Sequence, residues 1–155
     1  DELGLTRFVT MQNHYNLIYR EEEREMMPLC AEEGIGVIPW SPLARGFFAG
    51  NRKRGGGGET VRANSDAFGN SLYFRDEDFA VANCVADVAK ARGVTGSQVA
   101  LAWILSKPYI TSPIIGATKM DHLDQAIAAL DIPLSEEEVK QLEASYKPHP
   151  VLGHS

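Results

Sequence analysis

Cysteine is scarce here: Cys30 and Cys84 are the only two in 155 residues. Both lie in apolar helical patterns, so the sequence reads as a reduced, cytoplasmic protein with buried thiols rather than a disulfide-stapled one. Long apolar runs are missing as well. None approaches the roughly 18 residues of a membrane span, and no charged-then-apolar leader opens the chain, so no membrane is expected. Basic charge is in deficit, with 15 Lys and Arg against 21 Asp and Glu. That speaks against a nucleic-acid partner, which needs a dominant basic face. His149 and His154 stand in the tail without metal-ligand spacing, and no metal is expected. The acidic run from Glu21 to Glu25 reads as a helix start with a solvated face rather than as carboxylates for acid–base work.

What remains is a composition of 44% hydrophobic and 23% charged residues, as in a single folded domain. The chain opens on Asp1 rather than Met and reaches a strand-like run, Arg7 to Gln12, almost at once. It reads as a fold entered partway, a fragment.

Apolar and turn signals then alternate. EEEREMMPLCAEEG predicts a helix with Met26, Leu29 and Cys30 on one face and Gly34 as its stop. Pro28 argues for a kink or a late start. GIGVIPW predicts a buried strand. Residues 41–75 lack periodicity and contain GGGG at Gly55–Gly58, which suggests a hinge rather than a phosphate cradle. Arg52, Lys53 and Arg54 beside it read as solubilising charge.

DEDFAVANCVADVAKARG predicts a helix with Phe79, Ala82, Val85 (or Ala86) and Ala89 on one face, ended by Gly93. Thr95 with Gln98, and Ser135 with Glu138, have capping-box spacing for two further helices. Tyr109 to Gly116 predicts a third strand, and Leu123, Ile127 and Leu130 are spaced as the core face of the helix after it. Repeated strand–helix units imply an α/β fold with parallel strands and right-handed crossovers.

Ligands of such folds bind at the carboxyl ends of the strands. Those ends carry Gln12, then Trp40 and Ser41, then Gly116 to Thr118. An amide, a flat aromatic face and amides opening a helix, with Lys119 and His122 near them, describe a site for a nicotinamide dinucleotide. Helix N-termini favour phosphate. Trp40 could equally fill a core; Trp103, on an apolar helix face, reads as core. His14 and Tyr15 are expected to pack at the strand end.

At these residues the sequence resembles the aldo-keto reductase superfamily, in the branch of potassium-channel β subunits and related bacterial reductases. MQNHYNLIYREEE, GVIPWSPLARG, VALAWILSKP and PIIGATKMDHL are similar to that family's sixth strand, seventh strand, seventh helix and eighth strand. The resemblance implies that residues 1–155 are the C-terminal portion, strands six to eight with their helices, of a TIM-type (β/α)8 barrel. Residues 41–75 would cover the cofactor. Gln12 would bind the nicotinamide carboxamide, Trp40 would stack on its ring, and Ser41, Pro42, Leu43 and Arg45 would follow the pyrophosphate. Arg62 would close from the long loop. Thr118, Lys119 and His122 would surround an adenosine 2′-phosphate, hence NADP, with Gly116 binding cofactor from the turn before them and Gln125 near the adenine. Ala126 departs from the family's Asn there.

The family's catalytic Asp, Tyr, Lys and His lie on its first four strands, and nothing here resembles them. No catalytic residue is therefore expected in this chain, which alone would be inactive. Its partners would be a small carbonyl substrate and the missing N-terminal half, with an oligomer possible. The alternative implied is a regulatory, cofactor-sensing subunit like the channel β subunits.

Overall fold

The structure, a computed structural model, describes residues 3–52, 54, 64–65 and 72–151. Strand β1 (Thr10–Met11) pairs in parallel with β2 (Gly36–Val37), with Thr10 opposite Gly36 and Met11 opposite Val37. Single backbone bonds carry the pairing further. Gly36 N–H donates to the Val9 carbonyl (2.9 Å), Ile38 to Met11 (2.9 Å) and Trp40 to Asn13 (2.8 Å). The ladder is thus shorter than the strand expected from Arg7 to Gln12.

The crossover between the strands is helix α1 (Met26–Glu33). A 3-10 turn, Glu21–Arg24, precedes it, so Pro28 falls third in the helix, in the first turn. No helical carbonyl waits there for its missing N–H. The late start also turns the helix: Met27 and Cys30 are buried, whereas Leu29 from the predicted face is exposed. Gly34 ends α1 at φ 66°, a left-handed conformation that glycine adopts without a Cβ penalty.

Tyr109 to Gly116 does run beside β2 but forms only a bridge, Ile110 to Val37. The reason is a bulge. Thr111 and Ser112 both donate to the Val37 carbonyl (2.9 and 3.3 Å), and Ile114 then donates to Pro39 (2.8 Å). One extra residue on this segment breaks the ladder.

Four more helices follow among the described residues: α2 (Asp76–Arg92), α3 (Gly96–Leu105), α4 (Met120–Ala128) and α5 (Glu136–Glu143). Helix α3 buries Val99, Ala100, Leu101, Ala102, Trp103 and Ile104, which is apolarity on every side. It is the central helix, packed by α2 and α4, while α5 lies on α2. Thr95 and Gln98 form the expected capping box at its start, as Ser135 and Glu138 do for α5. On α2 the buried stripe is Val81, Val85, Val88 and Ala89, with Phe79 and Ala82 only partly covered. That helix packs on both α3 and α5, so its covered face is wider than one predicted stripe.

Three expectations fail on burial. Leu123, Ile127 and Leu130 are 38%, 55% and 67% exposed, because no described element covers that face of α4. Glu21 is buried rather than solvated; it accepts from Tyr146 Oη (2.8 Å) and from the His149 amide (3.0 Å). Cys84 is half-buried, donating to the Gln141 carbonyl, while Cys30 is buried, and neither is in a disulfide. No helix among the described residues is long and apolar enough to cross a membrane.

Candidate functional site

The parallel pairing sends β1, β2 and the Tyr109–Gly116 segment out at the same end of the fold. Gln12, one residue beyond β1, is exposed there. Trp40 is half-buried and bridges to His14. His14 covers one face of the indole, with ring centroids 4.0 Å apart and planes 14° apart. On its other side the imidazole stacks on Tyr19 at 4.2 Å.

After Trp40 the backbone turns sharply. Ser41, Ala44 and Arg45 have φ of 57°, 46° and 53°, left-handed values that non-glycine residues rarely adopt. Such strain persists only where surroundings over-determine it. Here three side chains do so. Asn16 Nδ2 donates to the Ser41 carbonyl (3.0 Å) and Arg52 Nη2 to the Arg45 carbonyl (3.0 Å). The Tyr73 hydroxyl lies 3.4 Å from Ser41 Oγ. Arg52 is therefore buried structure, not the solubilising charge expected, while Arg54 pairs with Asp76 at the surface. Pro42 is buried, and Leu43 packs against the core.

His14 and Tyr73 meet behind this turn, Nε2 to Oη at 2.6 Å. Burial, and then the nearby His149, lower the His14 pKa to about 3, so the imidazole is neutral. Burial pushes Tyr73 up to about 12. Asn16 Nδ2, which can only donate, also lies 3.3 Å from Nε2, which fits the tautomer protonated on Nδ1. Tyr73 then donates to Nε2, and its oxygen accepts from Asn16 Nδ2 at 3.2 Å. Asn13, also buried, leaves both side-chain amide atoms without a hydrogen-bond partner among the described residues.

On the third segment Gly116, Thr118, Lys119 and His122 are all exposed. Lys119 is the N-cap of α4, which begins without a side-chain cap. The His122 amide donates to the Lys119 carbonyl (3.1 Å), and the two amides before it, Met120 and Asp121, are the ones a solvent molecule or an anion would meet. Gln125 is half-buried and contacts the Thr95 hydroxyl at 3.3 Å. Arg62 and the four glycines lie outside the described residues. Among the described residues, no group of His, Cys, Asp and Glu could hold a metal ion.

Sequence reasoning missed Tyr73, Asn16, Arg52 and the functional neighbourhood of His14. Tyr73 lies 59 residues from His14, and no periodicity connects them. The pair Ser41 and Arg45 at positive φ was equally silent, since neither residue type advertises a left-handed turn.

Fold and site together define a parallel α/β unit with an aromatic platform and a braced turn at its strand ends. The comparisons narrow that class. The family model for the aldo/keto reductase family matches residues 2–147, and the chain belongs to that family. It is 43% identical over 150 residues to a putative aryl-alcohol dehydrogenase of Schizosaccharomyces pombe, covering 97% of this chain and 42% of the relative. It is 42% identical over 149 residues to a versiconal hemiacetal acetate reductase of Aspergillus parasiticus, covering 94% of this chain and 42% of the relative. Among solved structures, a thermostable aldo-keto reductase in complex with the inhibitor epalrestat aligns with a TM-score of 0.61 at 26% identity. That alignment covers 88% of this chain and 39% of the other. The chain thus spans about two fifths of the length of the proteins it matches.

Proposed function

We propose that this chain is the cofactor-holding carboxyl-terminal portion, strands six to eight with their helices, of a (β/α)8 reductase. With NADPH the whole protein reduces aldehydes or ketones to alcohols. The catalytic tetrad belongs to the preceding portion of the barrel. Exposed apolar side chains on both flanks support this arrangement. Leu5, Phe8 and Val9 lie before and beside β1, and Ile114, Ile115 and Ile127 lie on the opposite flank. The first five strands and their helices would cover them.

The residues present fit the dinucleotide. Trp40 offers the face that His14 leaves uncovered, and Gln12 stands exposed beside it for a carboxamide edge. The braced turn from Ser41 through Pro42 and Leu43 to Arg45 presents backbone and a guanidinium to the pyrophosphate. Open amides at the start of α4, with Thr118, Lys119 and His122, suit a phosphate. When bound, the nicotinamide supplies the hydride. This chain's residues bind it, fix its ring plane and keep the turn ordered beforehand, which lowers the ordering cost of binding.

The observation that carries the reading is Trp40, bridged to His14 at a strand's carboxyl end and stacked, among the described residues, on that one ring. The test is NADPH binding and NADPH-dependent reduction of an aromatic aldehyde by the complete gene product. Trp40→Ala should weaken NADPH at least tenfold, about 1.4 kcal/mol. Unchanged affinity would remove Trp40 from the site.

A further inference from the structure

Tyr73 has a hydroxyl that the core does not require. A phenylalanine would fill the same volume, and burying a hydroxyl costs free energy unless its hydrogen bonds are made. Here they are made. Tyr73 donates to His14 Nε2 at 2.6 Å, accepts from Asn16 Nδ2 at 3.2 Å and lies 3.4 Å from Ser41 Oγ. The backbone is bent to bring it there: the next residue, Phe74, has φ 97°, an outlier for a bulky side chain. Phe74 is held in that conformation by Phe47, at 5.6 Å between ring centroids, and by Phe79, at 6.0 Å.

The contacts fall into two chains. One runs from Tyr73 through the His14 ring to the Trp40 ring; the other runs from Tyr73 through Asn16 to the Ser41 carbonyl. Histidine χ2 is a broad, two-fold torsion, so stacking between Tyr19 and Trp40 still permits a flipped ring and small tilts. A hydrogen bond at Nε2 selects one orientation and holds the ring edge against tilting, and the indole stacked on that ring inherits its plane.

We propose that Tyr73, relayed by His14, is a positioning residue that sets the plane of Trp40 and the path of the Ser41 turn before cofactor arrives. This rests on Trp40 being the nicotinamide platform. Tyr73 itself need not touch the cofactor; its effect passes through His14 and Asn16. It also ties Tyr73 and the start of the chain leading into α2 to the platform.

The experiment uses the complete gene product labelled with 5-fluorotryptophan, alongside Tyr73→Phe and His14→Phe. The Trp40 fluorine resonance is assigned by its loss in Trp40→Phe, and the Trp103 resonance by its loss in Trp103→Phe. In ligand-free Tyr73→Phe and His14→Phe the Trp40 line should shift and broaden while the Trp103 line, from the core, stays put. The NADPH Kd should rise about fivefold, the size expected for one net hydrogen bond. Saturating NADPH should restore most of kcat. A Trp40 line and a Kd both like the unaltered protein's would overturn the proposal, as would movement of both tryptophan lines together, which is general loosening. Failure of the unaltered protein to bind NADPH would instead refute the cofactor reading itself.

Discussion

His149 Nε2 lies 2.7 Å from Asp78 Oδ1, with the two side chains only 3% and 2% exposed. The other Asp78 oxygen accepts from the Arg75 amide at 2.9 Å, so one carboxylate caps α2 and anchors the tail. Truncating one partner of a buried pair leaves the other uncompensated, which costs about 3 kcal/mol. His149→Ala should therefore lower stability by about that amount. Lys140→Ala, which removes an exposed 3.9 Å pair with Glu136, should change it by less than about 0.5 kcal/mol. Urea midpoints at a common m-value measure both.

A second pair links helix ends far apart in sequence. Arg92, the last residue of α2, donates through Nε and Nη2 to the two Glu138 oxygens, both at 2.5 Å. That guanidinium, and then the Ser135 amide, hold the Glu138 carboxyl at about 2, below the usual value. A carboxyl lowered in the folded state contributes its full stabilisation above its unfolded pKa and loses it as pH falls toward the folded one. The contribution should fade between about pH 4.5 and 2. Arg92→Ala should cost about 0.5–1 kcal/mol at pH 7 and progressively less as pH falls through that window. Stability measured against pH for both proteins tests the sign.

Gly96 opens α3, where alanine is normally the better helix former. A Cβ there would meet the Phe48 carbonyl oxygen at 2.3 Å and Val85 Cγ1 at 3.4 Å. Close approach outweighs propensity, so Gly96→Ala should destabilise by about 2 kcal/mol. A neutral or stabilised variant in thermal unfolding would show that the 44–49 turn can retreat.

Lys119, exposed at the N-cap of α4, carries the charge that would separate NADPH from NADH. Lys119→Ala should weaken NADPH about tenfold and leave NADH within twofold. Equal losses for both cofactors would assign Lys119 to the pyrophosphate or to stability.

Local chemistry was what the sequence made legible. Both capping boxes, the glycine stops at Gly34 and Gly93, and the apolar Trp103 follow from rules spanning a few residues, and the structure has them where spacing put them. The late helix start around Pro28 was an open option, and the 3-10 turn resolves it. Long-range facts were invisible. The Leu123, Ile127 and Leu130 stripe is a sound amphipathic face, but spacing cannot say what meets it. The same holds for the site. Gln12, Trp40 and Thr118 could be named from strand ends, whereas Tyr73, Arg52 and Asn16 act through hydrogen bonds that no pattern encodes.

Pro113 gives the bulge beside β2 a meaning of its own. Thr111 donates to Val37, and two residues later a regular strand would donate to Pro39, but that position is a proline without an amide proton. Ser112 shares the Val37 carbonyl instead, and Ile114 reaches Pro39 from one step farther along. An ordinary amide at 113 would open a rival frame with no spare residue. The chain beyond it would then slide by about 3.3 Å and swap its faces. The missing proton thus acts as a ratchet tooth, locking the alignment that delivers Gly116, Thr118 and the mouth of α4 to their places.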